Sequence, residues 1–195
     1  MSQTSSAAVL PASTTTQRPA IPDNRCPAHA IVSAFIASRV DYCNAVLYGV
    51  SARVTRRLQM VLIAAARHVV GTGKHDHITP ALRDVLHWLP VPQRTEFKIA
   101  VLAFDCVRGT GPAYFKDVCV PVLDIAARSS LRSAERACDL FVPRTRTMKL
   151  SRRSFTVAAP VVWNSLPTHL RSPLISRGQF RAGLKTHLFK QAYSL

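Results

Sequence analysis

Residues 76–91 read Asp76-His77-Ile78-Thr79-Pro80-Ala81-Leu82-Arg83-Asp84-Val85-Leu86-His87-Trp88-Leu89-Pro90-Val91, and they limit what the chain can become more than any other stretch. Thr79 can cap a helix whose first turn accepts Pro80, because proline lacks only an N–H that would be unpaired there. Pro90 and Pro92 forbid the helix from continuing and pre-set the start of the next one. Leu82, Val85, Leu86 and Leu89 recur at three- and four-residue intervals, and Trp88 beside them carries a large area to bury. The pattern predicts a corner, with a short helix wedged into the core between two longer ones.

On either side of this corner the periodicity is helical. Ile31, Phe35, Ile36, Val40, Cys43 and Leu47 define one side of a helix over Ala28–Tyr48, stopped by Gly49. Ser51 can cap a second, ending at Val70 before Gly71 and Gly73, with Val54, Leu58, Val61, Leu62, Ala65 and Val69 inward. A third runs from Pro92 to Arg108, burying Phe97, Val101, Phe104, Ile99 and Val107, with Gly109 closing it. Pro112 begins a short helix through Val118, and residues 124–139 read as irregular. Leu140–Val142 and Thr145–Leu150 around Pro143 form the only plausible β-hairpin. Ser154 or Thr156 starts a small helix around Val157–Trp163, and Ser176 caps a C-terminal helix with Phe180, Leu184 and Leu188 spaced by four. Residues 1–25, rich in Ser, Thr, Ala, Pro and Gln, cannot bury enough surface to offset their ordering entropy. The expected fold is mostly α: a disordered tail over 1–25 and a small helical bundle over 26–195, with a short hairpin near 140–150.

Charge bears on function. There are 26 Lys and Arg against 10 Asp and Glu, and the arginines number 20. The planar guanidinium grips phosphate and stacks on bases, so this bias favours nucleic acid over a merely soluble basic surface. From Arg144 onward there are ten Lys and Arg and no acid follows Asp139. Arg144, Arg146, Lys149, Arg152, Arg153, Arg177, Arg181 and Lys185 are the candidate phosphate contacts, binding with strong salt dependence. Alternation on a strand would put Arg144 and Arg146 on one face. Phe155, Trp163 and Phe180 are interleaved with these cations; Trp163 and Phe180 read as core, since stacking platforms need exposed rings.

Chemistry-bearing patterns are missing. No two acids are adjacent, Glu96 and Glu135 are the only glutamates, and there is no nucleophile elbow or phosphate-cradling glycine loop. The five cysteines, Cys26, Cys43, Cys106, Cys119 and Cys138, lack zinc-finger spacing and read as reduced core thiols. His75 and His77 flank Asp76, but two ligands are not a metal site. No apolar run reaches the roughly 18–20 residues that cross a bilayer. The chain is therefore expected to be neither an enzyme nor a membrane-spanning protein, and to need no cofactor.

Six pieces in order carry a resemblance: Ser38-Arg39-Val40-Asp41-Tyr42-Cys43-Asn44; Leu58-Gln59 through Ala64-Ala65-Ala66-Arg67; the corner segment from Asp76 to Val91; Val142-Pro143-Arg144-Thr145-Arg146; Ala158-Ala159-Pro160-Val161-Val162-Trp163-Asn164-Ser165-Leu166-Pro167; and Leu184-Lys185-Thr186-His187-Leu188-Phe189. Across residues 28–190 the chain resembles the region that comes after the polymerase domain in non-LTR retrotransposons of the LINE class, particularly jockey-like clades. The resemblance does not transfer polymerase activity, because the paired aspartates that bind catalytic metal are missing. It implies a thumb-adjacent module holding template RNA or a DNA primer–template without sequence readout, with a polymerase domain as partner and an intracellular, nuclear or ribonucleoprotein location. It also accounts for His77, His87 and His187 without metal. Residues 1–25 fall outside it, so the start codon is expected to come from foreign or non-coding sequence. A packing module for a missing polymerase domain, or a decayed remnant, is the alternative on the same residues.

Overall fold

The last helix shows how local sequence becomes a fixed element. The Ser176 hydroxyl accepts from the Gln179 N–H, and the Gln179 side chain accepts from the Ser176 N–H in return. This capping box satisfies two end donors and starts α5, Arg177–Tyr193. Its four-residue spacing then turns Phe180, Leu184 and Leu188 inward, all fully buried. A computed structural model describes this helix within residues 27–115, 117–125, 138–145 and 153–194. The tail over 1–25, residues 126–137, and Arg146, Lys149 and Arg152 lie outside the described residues.

The other long helices are α1 (Pro27–Asp41), α2 (Ala52–Val70), α3 (Val91–Val107) and α4 (Phe155–Ser165). α3 is central. It packs most extensively on α4, then on α5, and touches α1 and α2, which pair with each other. Ala100 and Ala103 on α3 and Ala158 and Ala159 on α4 are all buried in one core cluster, and such small side chains let two backbones approach closely. Phe104, Trp163 and Phe180 join α3, α4 and α5: Phe104 stacks on Phe180 at 4.4 Å between ring centroids, with Trp163 at 6.0 Å from Phe180. Leu170 lies so close to α5 that a Cβ on Gly183 would come within 2.7 Å of its Cδ2. Trp163 and Phe180 are thus core, as their spacing predicts.

Two expectations change at the first helix. α1 stops at Asp41, and Cys43 takes a left-handed conformation at φ 52° before a short 3-10 turn, Asn44–Leu47. The break lets Asn44 turn inward, where its Nδ2 donates to the Arg94 carbonyl of α3 at 3.4 Å. Ile31 and Phe35, read from their spacing as core, are 67 % and 59 % exposed, because no described element covers that half of α1. Val54 and Val61 on α2 are likewise exposed, while Leu62, Ala65, Ala66 and Val69 are buried.

The corner is present but shorter than its periodicity suggests. Residues Ala81–Val85 make one π turn, with the Leu86 N–H donating to the Ala81 carbonyl and the Trp88 N–H to the Leu82 carbonyl, both at 2.9 Å. His87 then turns left-handed at φ 50°. The segment still acts as a wedge: Ile78, Ala81 and Leu82 bury against Ala66, Leu89 enters the main core, and Val91 joins Val40 and Leu62. Gln59 of α2 accepts from the Val91 N–H at 2.9 Å and so marks the start of α3.

In place of the first arm of a hairpin, Leu140 forms an isolated antiparallel bridge with Pro121. The Phe141 N–H donates to the Val120 carbonyl, and the Val122 N–H to that of Asp139. Among the described residues there is no further strand pairing; 146–150, most of the expected second arm, lie outside them. Cys119 is buried beside Cys106, and burial, reinforced by the Cys106 thiol, pushes its own thiol up to about 12.

One half-buried carboxyl gives a pH-dependent prediction. Burial raises the Glu96 carboxyl above its ordinary value of 4.5. A raised folded value means that stability is fully present below the unfolded value and is lost as pH climbs through the folded one. Glu96→Gln is therefore expected to match the parent below about pH 4, near the unfolded glutamate value, and to be more stable at pH 7. Thermal unfolding at the two pH values measures the gap.

Candidate nucleic-acid interface

The 138–145 segment is built from the motif at the end of α4. Trp163 Nε1–H donates to the Cys138 carbonyl at 2.7 Å. Asn164 accepts from the Leu140 N–H through Oδ1 and donates to the Leu140 carbonyl through Nδ2, each at 2.8 Å. The amide thus stands in for a neighbouring strand. Arg171, 8 % exposed, pairs with the Asp139 carboxylate between these two anchors. Residues 142–145 leave this clamp to form one wall of a groove of about 1240 Å³.

The opposite walls are the Tyr48–Ser51 turn and the α4 face bearing Val157 and Val161. Gly49 holds this turn at φ +67°, and a Cβ there would lie 3.0 Å from Arg153 Cγ. The glycine therefore serves twice, permitting the left-handed turn and letting the Arg153 stem pass over it. Arg144 is exposed, Arg153 is half-buried, and both line the groove. Among the described residues the Arg153 guanidinium reaches the Val46 carbonyl, at 3.4 Å, and its Nε has no hydrogen-bond partner. No acid is among the described residues that line this groove. Burial, and then the charge of Glu96, raise the Tyr48 hydroxyl above its ordinary value.

The remaining candidate cations are dispersed. Arg177 holds the Asp105 carboxylate with two bonds, at 2.7 and 2.8 Å, joining the start of α5 to the end of α3. Arg108 reinforces that joint by donating to the carbonyls of Ser172, Pro173 and Ile175. Lys185 lines a different crevice, beside Trp88 and Lys98. Arg181 is exposed on α5. Arg144 and Arg153 are thus brought together, while Arg177 is committed to an internal ion pair.

Among the described residues, no three His, Cys, Asp or Glu side chains converge as a metal site, and no helix is long and apolar enough to cross a membrane. No family model, curated protein or solved structure matches the chain. The chemistry of its own residues is therefore the guide to what it binds.

Proposed function

We propose that this chain is a non-catalytic module of a LINE-type reverse transcriptase that holds RNA or a primer–template through its phosphates, without reading sequence. The observation that supports it best is the groove lined by both Arg144 and Arg153 with no acid among its described lining residues. Cations unpaired by protein carboxylates release counterions when phosphates replace those ions, which is the main source of non-specific affinity. Val142, Val157 and Val161 add apolar surface to the same lining.

The test is fluorescence anisotropy of a labelled single-stranded RNA against the full chain over a range of salt. Arg144→Glu with Arg153→Glu is expected to weaken binding more than tenfold and to flatten the log–log salt slope by about 1.4, at roughly 0.7 per lost single-strand contact. Arg177→Glu is the control: it breaks the pair with Asp105, so its effect is read in melting temperature and not in the slope. An unchanged slope in the double variant would mean that the groove does not hold the strand.

A second reading, a packing module for a polymerase domain, is favoured by Ile31 and Phe35. They lie four residues apart on one exposed side of α1, with Met60 and Val61 exposed on its partner α2. It is the reading that survives if the charge reversals leave RNA binding unchanged.

A further inference from the structure

Glu96 on α3 lines two crevices. One, of about 270 Å³, has walls from α3, α4 and α5; the other, of about 170 Å³, lies beside the 47–50 turn at the start of α3. The Glu96 side chain is half-buried, and among the described residues it accepts no hydrogen bond and joins no ion pair. Neither of its carboxylate oxygens is sealed away in the manner of the partnerless Arg171 Nε, so a ligand can reach them.

The setting is unusual for this chain. Lys and Arg number 26 in all, yet none is among the described residues that line either crevice, and Glu96 is the one acid there. Tyr48 and His187 are the other titratable groups on these walls. A carboxylate held partly out of water with no cation beside it is costly to ionise, and burial raises the Glu96 carboxyl accordingly. A cation in contact with it offsets that cost.

The other walls set size and shape. The larger crevice falls below the roughly 300–1,000 Å³ of drug-sized pockets, so an occupant is small. Ala100, Leu184 and Leu188 line it with aliphatic surface. The Ser165 hydroxyl donates to the Val162 carbonyl at 2.7 Å, which leaves its oxygen as an acceptor, and the Gln191 amide adds a carbonyl. With a single carboxylate on these walls, a second positive charge on the ligand would find no acid to meet it.

We infer that the Glu96 crevice binds a primary ammonium on a short aliphatic stem, with the nitrogen against the carboxylate and the stem along Leu184 and Leu188. A free alkylamine and the lysine side chain of a partner protein share this chemistry. The inference does not depend on strand binding at Arg144 and Arg153.

The full chain is titrated at pH 7 and constant ionic strength with n-butylammonium, with 1-butanol, its neutral isostere, and with putrescine, the dication on the same stem. Ligand-observed NMR follows occupancy. Butylammonium is expected to saturate at about millimolar concentration, as suits a ligand this small. It should bind at least tenfold more tightly than butanol, and more tightly than putrescine. Glu96→Gln, expected to be the more stable chain at this pH, should abolish the preference for butylammonium over butanol. Asp117→Asn, at an exposed acid outside the crevice, should leave that preference intact. Equal binding of butylammonium and butanol, no saturation, or a preference that survives Glu96→Gln overturns the inference, as does its loss in both variants. Tighter binding of putrescine overturns the single-charge assignment. Nα-acetyl-lysine methylamide binding as tightly as butylammonium assigns the source to a protein lysine; its exclusion while butylammonium binds assigns it to a free amine.

Discussion

Phe180→Ala is expected to lower the unfolding free energy by about 3–5 kcal/mol. The side chain is completely buried, stacks on Phe104 and meets Trp163, so its removal opens a cavity at the one place where α3, α4 and α5 converge. Those neighbours are held by α4 and α3, whose alanine-lined contact leaves little room to collapse inward. A domain of this size has roughly 5–15 kcal/mol in total, so the loss is a large fraction of it. Urea unfolding followed by circular dichroism reads the shift. Leu174→Ala serves as the comparison, because Leu174 is 92 % exposed and its truncation should stay within about 0.5 kcal/mol. Similar losses at the two positions would mean that the three helices do not share one core.

Asp139→Ala is expected to cost about 3–5 kcal/mol, for a different reason. The Arg171 side chain is nearly all buried, its Nε has no hydrogen-bond partner among the described residues, and Asp139 is its ion-pair partner. Removing the carboxylate strands a positive charge inside the protein, which is far more costly than never having had the pair. Adding Arg171→Met should therefore restore part of the stability, an outcome that loss of simple packing would not give. Because Asp139 lies between the anchor points of Trp163 and Asn164, the single variant should also weaken RNA binding at Arg144, and the double variant should recover it.

The helices whose ends carry their own signals were legible in the sequence. Gly71 stops α2, Gly109 comes after α3 at positive φ, and the Ser176–Gln179 box starts α5. Where long-range contacts overrode local pattern, the reading strayed. Nothing near Cys43 announces a left-handed residue; the break is explained by Asn44 reaching Arg94, fifty residues away. The spacing of Ile31 and Phe35 describes an apolar face correctly but cannot say whether anything covers it. The candidate site divides similarly. Counting cations pointed to Arg144, Arg153 and Arg177 alike, yet which of them an acid neutralises depends on pairs such as Asp105 with Arg177, 72 positions apart. The burial of Asn44 carried no signal either, since an isolated asparagine usually lies at the surface.

The wide turn at Ala81–Val85 makes the corner a place where the chain's length is counted. A π turn holds one more residue than an α turn for the same closure, so losing a residue there would let it relax to the commoner form. A change of one residue, however, would shift the register of Leu89 and Val91 relative to Ile78 and Leu82. These two side chains enter separate apolar clusters only two residues apart, and Gln59 holds the Val91 N–H, so a shift in register disturbs all three. Surface loops absorb insertions at little cost. In this protein the span from Ile78 to Val91 is a segment whose side chains can vary more freely than their number.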